Sequence, residues 1–80
     1  MEGVHRMPLS ERKKVNYVIV CVNEFARRKG LSVQEAFHYL HRYKGIAFLD
    51  ECYDAEHTLS LDDAIEDMTI VCRNNGGQVA

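Results

Sequence analysis

The stretch "LSVQEAFHYLHRYKG" (residues 31–45) carries the clearest structural signal in the chain and decides the fold. Ser32 and Glu35 stand three residues apart directly before an apolar run, which is the spacing of a capping box at a helix N-terminus. Gly45 follows the run where a helix-ending glycine is expected. The stretch predicts a helix over residues 33–44, with a buried stripe at helical spacing: Val33, Ala36, Phe37, Leu40 and Tyr43.

The segment before it predicts a longer helix over residues 11–29, with Ser10 as its N-cap and Gly30 as its left-handed stop. The stretch Tyr17–Val22 is apolar on nearly every side of that helix. This pattern indicates a central helix, or one that also meets another chain. Six apolar residues carry the helical spacing: Val15, Val18, Ile19, Val22, Phe25 and Ala26.

The segments after it predict two more helices, over residues 46–57 and 61–74, the second capped by Ser60 and ended by "NNGG". Short connections make sequential helices spatial neighbours. We therefore expect an all-α fold, a compact small bundle of about four helices. It forms a single domain over residues 1–80, with loose tails at about 1–8 and 77–80.

Composition excludes several protein classes. The 80 residues are 46% hydrophobic and 28% charged, which is typical of a globular domain. The three cysteines lack CxxC spacing and predict reduced thiols. The longest apolar run, "YVIVCV", has six residues, whereas a membrane span needs about 20. Because the first residues contain no apolar signal region, we expect a cytoplasmic protein that does not insert in a membrane.

Charge is divided unevenly along the chain. Residues 1–45 hold nine Lys and Arg against four Asp and Glu, and residues 46–80 hold one Arg against eight acids. Two interpretations of this imbalance stay open: it serves a partner, or opposite charges become neighbours when the halves pack together. The basic clusters at 12–14 and 27–29 could contact phosphates, but the net charge of −2 and the lack of a recognition motif argue against nucleic-acid binding.

The stretch "LDECYDAEHT" (residues 49–58) concentrates polar side chains that a helix would separate. Its acids Asp50, Glu51 and Asp54 are expected to face solvent, while Leu49, Cys52 and Tyr53 are expected to turn inward. Only His57, followed by Thr58, lacks a routine explanation. With Tyr53 one turn earlier and Asp67 of the last helix, these residues form a candidate polar site: Tyr53, His57, Thr58 and Asp67.

Two interpretations of His57 stay open. It is either a partly buried histidine held at a helix end, or a general base oriented by Asp67 or another acid. Since the serines are explained as caps, no nucleophile accompanies it, and we expect no catalytic residue and no enzyme. His38 and His41 could begin a metal site, but no further ligand is placed by spacing, so neither metal nor cofactor is expected.

Residues 31–45 and "GIAFLDECYDAEHTLSLDDAIEDM" (45–68) resemble a family of short bacterial proteins classified only as domain of unknown function 3791. The resemblance covers roughly residues 14–76. Besides residues 31–45, it includes Leu49 and the four residues of the candidate polar site. It implies an all-helical fold and transfers no catalytic residue. Members are encoded beside small uncharacterised proteins or toxin-like, ADP-ribosyltransferase-like proteins, which implies a protein-binding or regulatory accessory role.

The leading functional hypothesis is a small helical protein–protein interaction or regulatory accessory module with an unidentified protein partner. A homodimer could cover part of the first helix, with Tyr17, Val20 and Cys21 as candidate interface residues. Two alternatives are kept: a metal-binding or minor catalytic domain that uses His57 and nearby acids, and weak nucleic-acid binding through the clusters at 12–14 and 27–29.

Overall fold

Five helices follow one another in the computed structural model, which describes residues 9–77: α1 (Leu9–Lys29), α2 (Val33–Arg42), α3 (Gly45–Glu51), α4 (Tyr53–Glu56) and α5 (Leu61–Asn74). These residues include no strand, so the predicted all-α bundle is confirmed. Of the predicted tails at about 1–8 and 77–80, residues 1–8 and 78–80 lie outside the described residues, whereas Gly77 is buried against Tyr39 and Tyr43. No helix in the described part of the chain has the length and apolar character needed to cross a bilayer.

The core lies between α1, α2, α3 and α5. Phe25, Leu40, Leu49 and Met68 are fully enclosed, one from each of these helices. The remaining buried apolar residues surround them: Cys21, Val22, Ala26, Ala36, Ala64, Ile65 and Cys72. Cys21 and Cys72 therefore act as small core side chains.

The predicted caps of α2 and α5 are confirmed. The Glu35 amide donates to Ser32 Oγ at 3.0 Å, and the Ser32 amide donates to Glu35 Oε1 at 2.9 Å, which completes the capping box. The Asp63 amide donates to Ser60 Oγ at 3.1 Å. Gly30 has a φ of +68° and ends α1, as predicted. Ser10 is not an N-cap, because α1 begins one residue before it.

The transition from α2 to α3 differs from the prediction. Lys44, with a φ of +75°, takes the left-handed conformation, and Gly45 is the first residue of α3. Gly45 is buried, and a Cβ atom there would lie 3.0 Å from both Cys72 Sγ and Leu40 Cδ2. The glycine thus permits close packing of α3 on α2 and α5 and is not the residue that ends α2.

The predicted helix over residues 46–57 is broken at Cys52. This residue has φ −105° and ψ 18°, and its carbonyl accepts from the Ala55 and Glu56 amides at 3.1 and 2.8 Å, which starts a new turn. The break therefore makes α4 a single separate turn. No glycine, proline or side-chain cap marks this point in the sequence, and the helical periodicity continues across it, so the break could not be predicted.

Candidate functional site

His57 lies on the surface, not partly buried as the sequence suggested. Its ring stacks on Tyr53, with centroids 4.4 Å apart and planes at 10°. Its Nδ1 lies 2.6 Å from the Tyr53 carbonyl oxygen, and because a carbonyl can only accept, Nδ1 carries the proton. The ring is thus oriented by backbone, and Asp67 is not its hydrogen-bond partner.

Thr58 closes the turn that follows α4. Its Oγ1 donates to the Ala55 carbonyl at 2.7 Å, and its side chain is exposed. This local hydrogen bond is the usual use of a threonine that ends a helical turn. Within the candidate polar site, Tyr53, His57 and Thr58 stay together at the end of α4, and Asp67 belongs to a different group of side chains.

That group is centred on Glu56, which the sequence interpretation missed. Its side chain is only 7% exposed, and its Oε1 atom has no hydrogen-bond partner among the described residues. Asp67 on α5 lies within hydrogen-bonding reach of the Glu56 carboxyl. Burial first, and then Asp67, raise the pKa of Glu56 to about 7. Glu56 therefore keeps its proton to a higher pH than an exposed glutamate does.

Periodicity contained a signal for Glu56. It stands seven residues after Leu49 and three after Tyr53, which are spacings of one helix face. The charge of Glu56 argues against its burial despite this spacing, because glutamate side chains are rarely buried. The position of Asp67 on α5 could not be known before the helices were packed.

Tyr17 on α1 borders the Glu56–Asp67 pair. Its hydroxyl is buried, lies beside the Cys21 thiol and lacks a hydrogen-bond partner in the described part of the chain. Burial, followed by the Cys21 thiol, raises the pKa of Tyr17 well above its ordinary value. Its ring meets Tyr53 edge-on, with centroids 5.5 Å apart. This edge contact links the pair to the stacked Tyr53–His57 rings.

The carboxyl pair opens on a small cavity of about 240 Å³ between α3, α4 and α5, which we call the acidic pocket. Its other walls are apolar. The lining residues are Phe48, Glu56, Asp67, Ile70 and Val71. Ile70 is 47% exposed, and Phe48, Asp67 and Val71 are half-buried, so the pocket is shallow and open to solvent. The pocket therefore combines two carboxyls with apolar walls.

A second and larger concavity lies between α1, α2 and α3, with a volume of about 660 Å³, and we call it the apolar groove. Ile19 and Phe37, which belong to its lining, are 50% and 44% exposed. The apolar lining is Val15, Val18, Ile19, Phe37, Ile46 and Ala47, and the polar rim is Glu11, Lys14, His41, Lys44 and Asp50. The predicted burial of Phe37 is wrong, as is that of Val33, which is 53% exposed.

The groove is displaced from the interface that the sequence suggested. Cys21 is fully buried and has no surface to offer a second chain in this conformation, so it is corrected to a core residue. Tyr17 is partly buried beneath Tyr53, and Val20 is 50% exposed but does not line the groove. Val20 and the preceding residue, Ile19, are equally exposed on α1, and Ile19 is the one of the two that lines the groove.

Opposite charges from the two halves of the sequence are neighbours in the fold. Lys14 Nζ lies 3.3 Å from Asp50, and Arg28 pairs with Asp62 on α5. Arg27 and Arg28 also bond Glu24 and lower its pKa to about 2. Two of these pairs, Lys14–Asp50 and Arg28–Asp62, join the two halves of the sequence, which supports packing of the halves as the origin of the charge division.

The histidines of α2 are exposed, and His41 stacks on Phe37 with centroids 5.9 Å apart. Between residues 9 and 77, no group of three or more His, Cys, Asp and Glu is arranged to hold a metal ion.

Comparison with known proteins gives one match. A family model described as "Protein of unknown function (DUF3791)" matches residues 16–75. No curated protein and no solved structure matches the chain. The matched segment contains the last two thirds of α1 and every later helix up to the end of α5. The chain belongs to the DUF3791 family of proteins of unknown function.

Proposed function

We propose that this chain is a small protein-interaction module, that it acts by binding, and that its apolar groove is the contact surface. The observation that carries the proposal is the convergence of three half-exposed apolar side chains on one groove: Val15, Ile19 and Phe37 are 39%, 50% and 44% exposed. A small domain scatters single apolar residues over its surface, whereas a grouped set marks an interaction site.

The occupant that we propose is a second copy of the chain. A contact around a two-fold axis must be complementary to itself, so its rim needs charges of both signs. The groove rim meets this condition with Glu11 and Asp50 against Lys14 and Lys44. Its apolar lining, contributed by three helices, is of the kind that receives a helix face. A regulatory accessory role would be an activity of the resulting dimer.

Sedimentation equilibrium tests this proposal directly. We expect the purified chain to self-associate as concentration rises from about 10 µM to about 1 mM. Ile19→Lys should weaken association about 30-fold or more, because it places a charge in the desolvated centre of the contact. Val20→Lys is the matched control, since Val20 is equally exposed on α1 but lies outside the groove lining.

Two results would overturn the proposal. A monomer at every concentration would show that a second copy does not cover the groove. Loss of association in Val20→Lys but not in Ile19→Lys would place the interface on the neighbouring face of α1. Circular dichroism of each variant must show the same helix content as the native chain, so that a loss of association is not a loss of fold.

A further inference from the structure

We propose that the acidic pocket binds a guanidinium group, as carried by an arginine side chain. The proposal is independent of the apolar groove. It rests on the enclosed position of Glu56, on the adjacent carboxyl of Asp67, and on the apolar walls that complete the cavity.

Glu56 provides the strongest observation. The side chain is more than nine-tenths buried, it lines the pocket, and its Oε1 atom has no hydrogen-bond partner in the described chain. Neither Glu56 nor Asp67 forms an ion pair with a described Lys, Arg or His. A buried carboxyl without a donor is costly, and a cation that enters the pocket supplies both donors and charge.

The geometry of the walls favours guanidinium over a metal ion. Calcium takes six to eight oxygen ligands, whereas this pocket offers two carboxyls and otherwise apolar side chains. A guanidinium group presents a planar fork of N–H donors that matches carboxylates, and it is less strongly hydrated than an ammonium. The Phe48 ring can meet its flat face, and Ile70 and Val71 can contact the methylene stem.

The size of the pocket agrees with one side chain. Its volume of about 240 Å³ lies below the range of about 300–1,000 Å³ that is typical of sites for drug-sized ligands. A proton held by Glu56 would leave when the cation enters, because the guanidinium then supplies the donors and the positive charge. Binding should therefore release a proton and strengthen as pH rises from 6 to 8.

The test is an NMR titration of the full chain with N-acetyl-arginine amide, and the probe for comparison is N-acetyl-citrulline amide, which has a similar shape but no charge. We expect saturable shifts of the backbone amides of Phe48, Glu56, Ile70 and Val71 with the arginine probe alone. Glu56→Gln should weaken binding about tenfold or more, because it removes the charge from a charge-assisted hydrogen bond. Glu51→Gln, an exposed acid outside the pocket, should leave binding unchanged.

A further titration with free arginine distinguishes two sources of the guanidinium group, a protein side chain and a small molecule. Tighter binding of the blocked amide assigns the pocket to a side chain of a protein, and tighter binding of the free amino acid assigns it to a small molecule. Equal shifts with the citrulline probe would overturn the proposal. So would equal losses in Glu56→Gln and Glu51→Gln, which would indicate diffuse attraction to an acidic surface. Glu56→Gln keeps the size of the side chain, and the backbone amide spectrum of this variant checks that it is folded.

Discussion

The apolar groove and the acidic pocket depart from ordinary burial in opposite ways. The groove leaves Ile19 and Phe37 about half exposed to water, while the pocket takes the carboxyl of Glu56 almost wholly out of it. Both regions draw on α3, the groove through Ile46 and Ala47 and the pocket through Phe48. An 80-residue chain has a small core and a narrow margin of stability, so both departures are significant relative to its free energy of unfolding. We infer that binding, and not folding, explains their presence.

Leu49 tests whether the two regions share one support. It is fully buried in α3, beside residues that line the groove and the pocket. Leu49→Ala should lower the free energy of unfolding by about 2–5 kcal/mol, through lost apolar contact and the cavity that remains. Urea unfolding measures the change, with the exposed Glu51→Ala on the same helix as control. A loss below about 1 kcal/mol would mean that α3 is not held by the core.

Glu56 tests the cost of the acidic pocket through pH. The pKa is raised to about 7 in the folded chain, against about 4.3 in an unfolded one. Between these values only the folded state holds the proton, so stability is complete below about pH 4 and is lost as pH rises to 7. The titratable groups that face Glu56 are Asp63 and Asp67 from α5 and the neutral Tyr17 and Cys21 side chains from α1.

We therefore expect the free energy of unfolding to fall by about 2 kcal/mol from pH 5 to pH 8. Urea titrations at the two pH values measure this difference, and Glu56→Gln should remove most of it. Glu51→Gln should retain it, since Glu51 is exposed. A pH dependence that is the same in both variants would assign the effect to other groups.

Ile19 tests the groove side of the comparison. Because half of its side chain is already in water, Ile19→Thr should change the unfolding free energy by about 1 kcal/mol or less. The measurement is made at a concentration where the chain is monomeric. A loss as large as that of Leu49→Ala would show that the groove belongs to the core and would weaken its assignment as a contact surface.

Asp62 provides the smallest expected effect and separates exposed from buried carboxyls. It lies on α5 with Asp67, but its side chain is 79% exposed and pairs with Arg28. Asp62→Asn should change stability by about 0.5 kcal/mol or less, because exposed ion pairs contribute little and Arg28 keeps its bond to Glu24. Thermal unfolding at pH 7 measures it. A larger loss than that caused by Leu49→Ala would reverse the proposed ranking of contributions.

The sequence predicted what is encoded locally. The capping box of Ser32 and Glu35, the Ser60 cap and the Gly30 stop depend on neighbours within a few residues, and all three are confirmed. The break at Cys52 and the inward turn of Glu56 depend on packing between distant helices. A period of 3.6 residues identifies a helix face, but it does not say whether another helix covers that face. For this reason the predicted burial of Phe37 is wrong.

The candidate polar site divides in the same way, between contacts that are local in the sequence and contacts that depend on helix packing. Tyr53, His57 and Thr58 are close in sequence and remain together, whereas the partner of Asp67 is Glu56 and not His57. Which acid approaches Asp67 is decided by the packing of α4 on α5, and no spacing within either helix contains that information.

The measurement closest to the central claim is an NMR experiment on a mixture of isotope-labelled and unlabelled chains, filtered for nuclear Overhauser effects between chains. If a second copy covers the apolar groove, the Ile19 methyl groups and the Phe37 ring of one chain should show contacts to groove residues of the other. Contacts between chains that involve Val20 but spare Ile19 and Phe37, or no such contacts at about 1 mM protein, would contradict the assignment of this groove as the interaction surface.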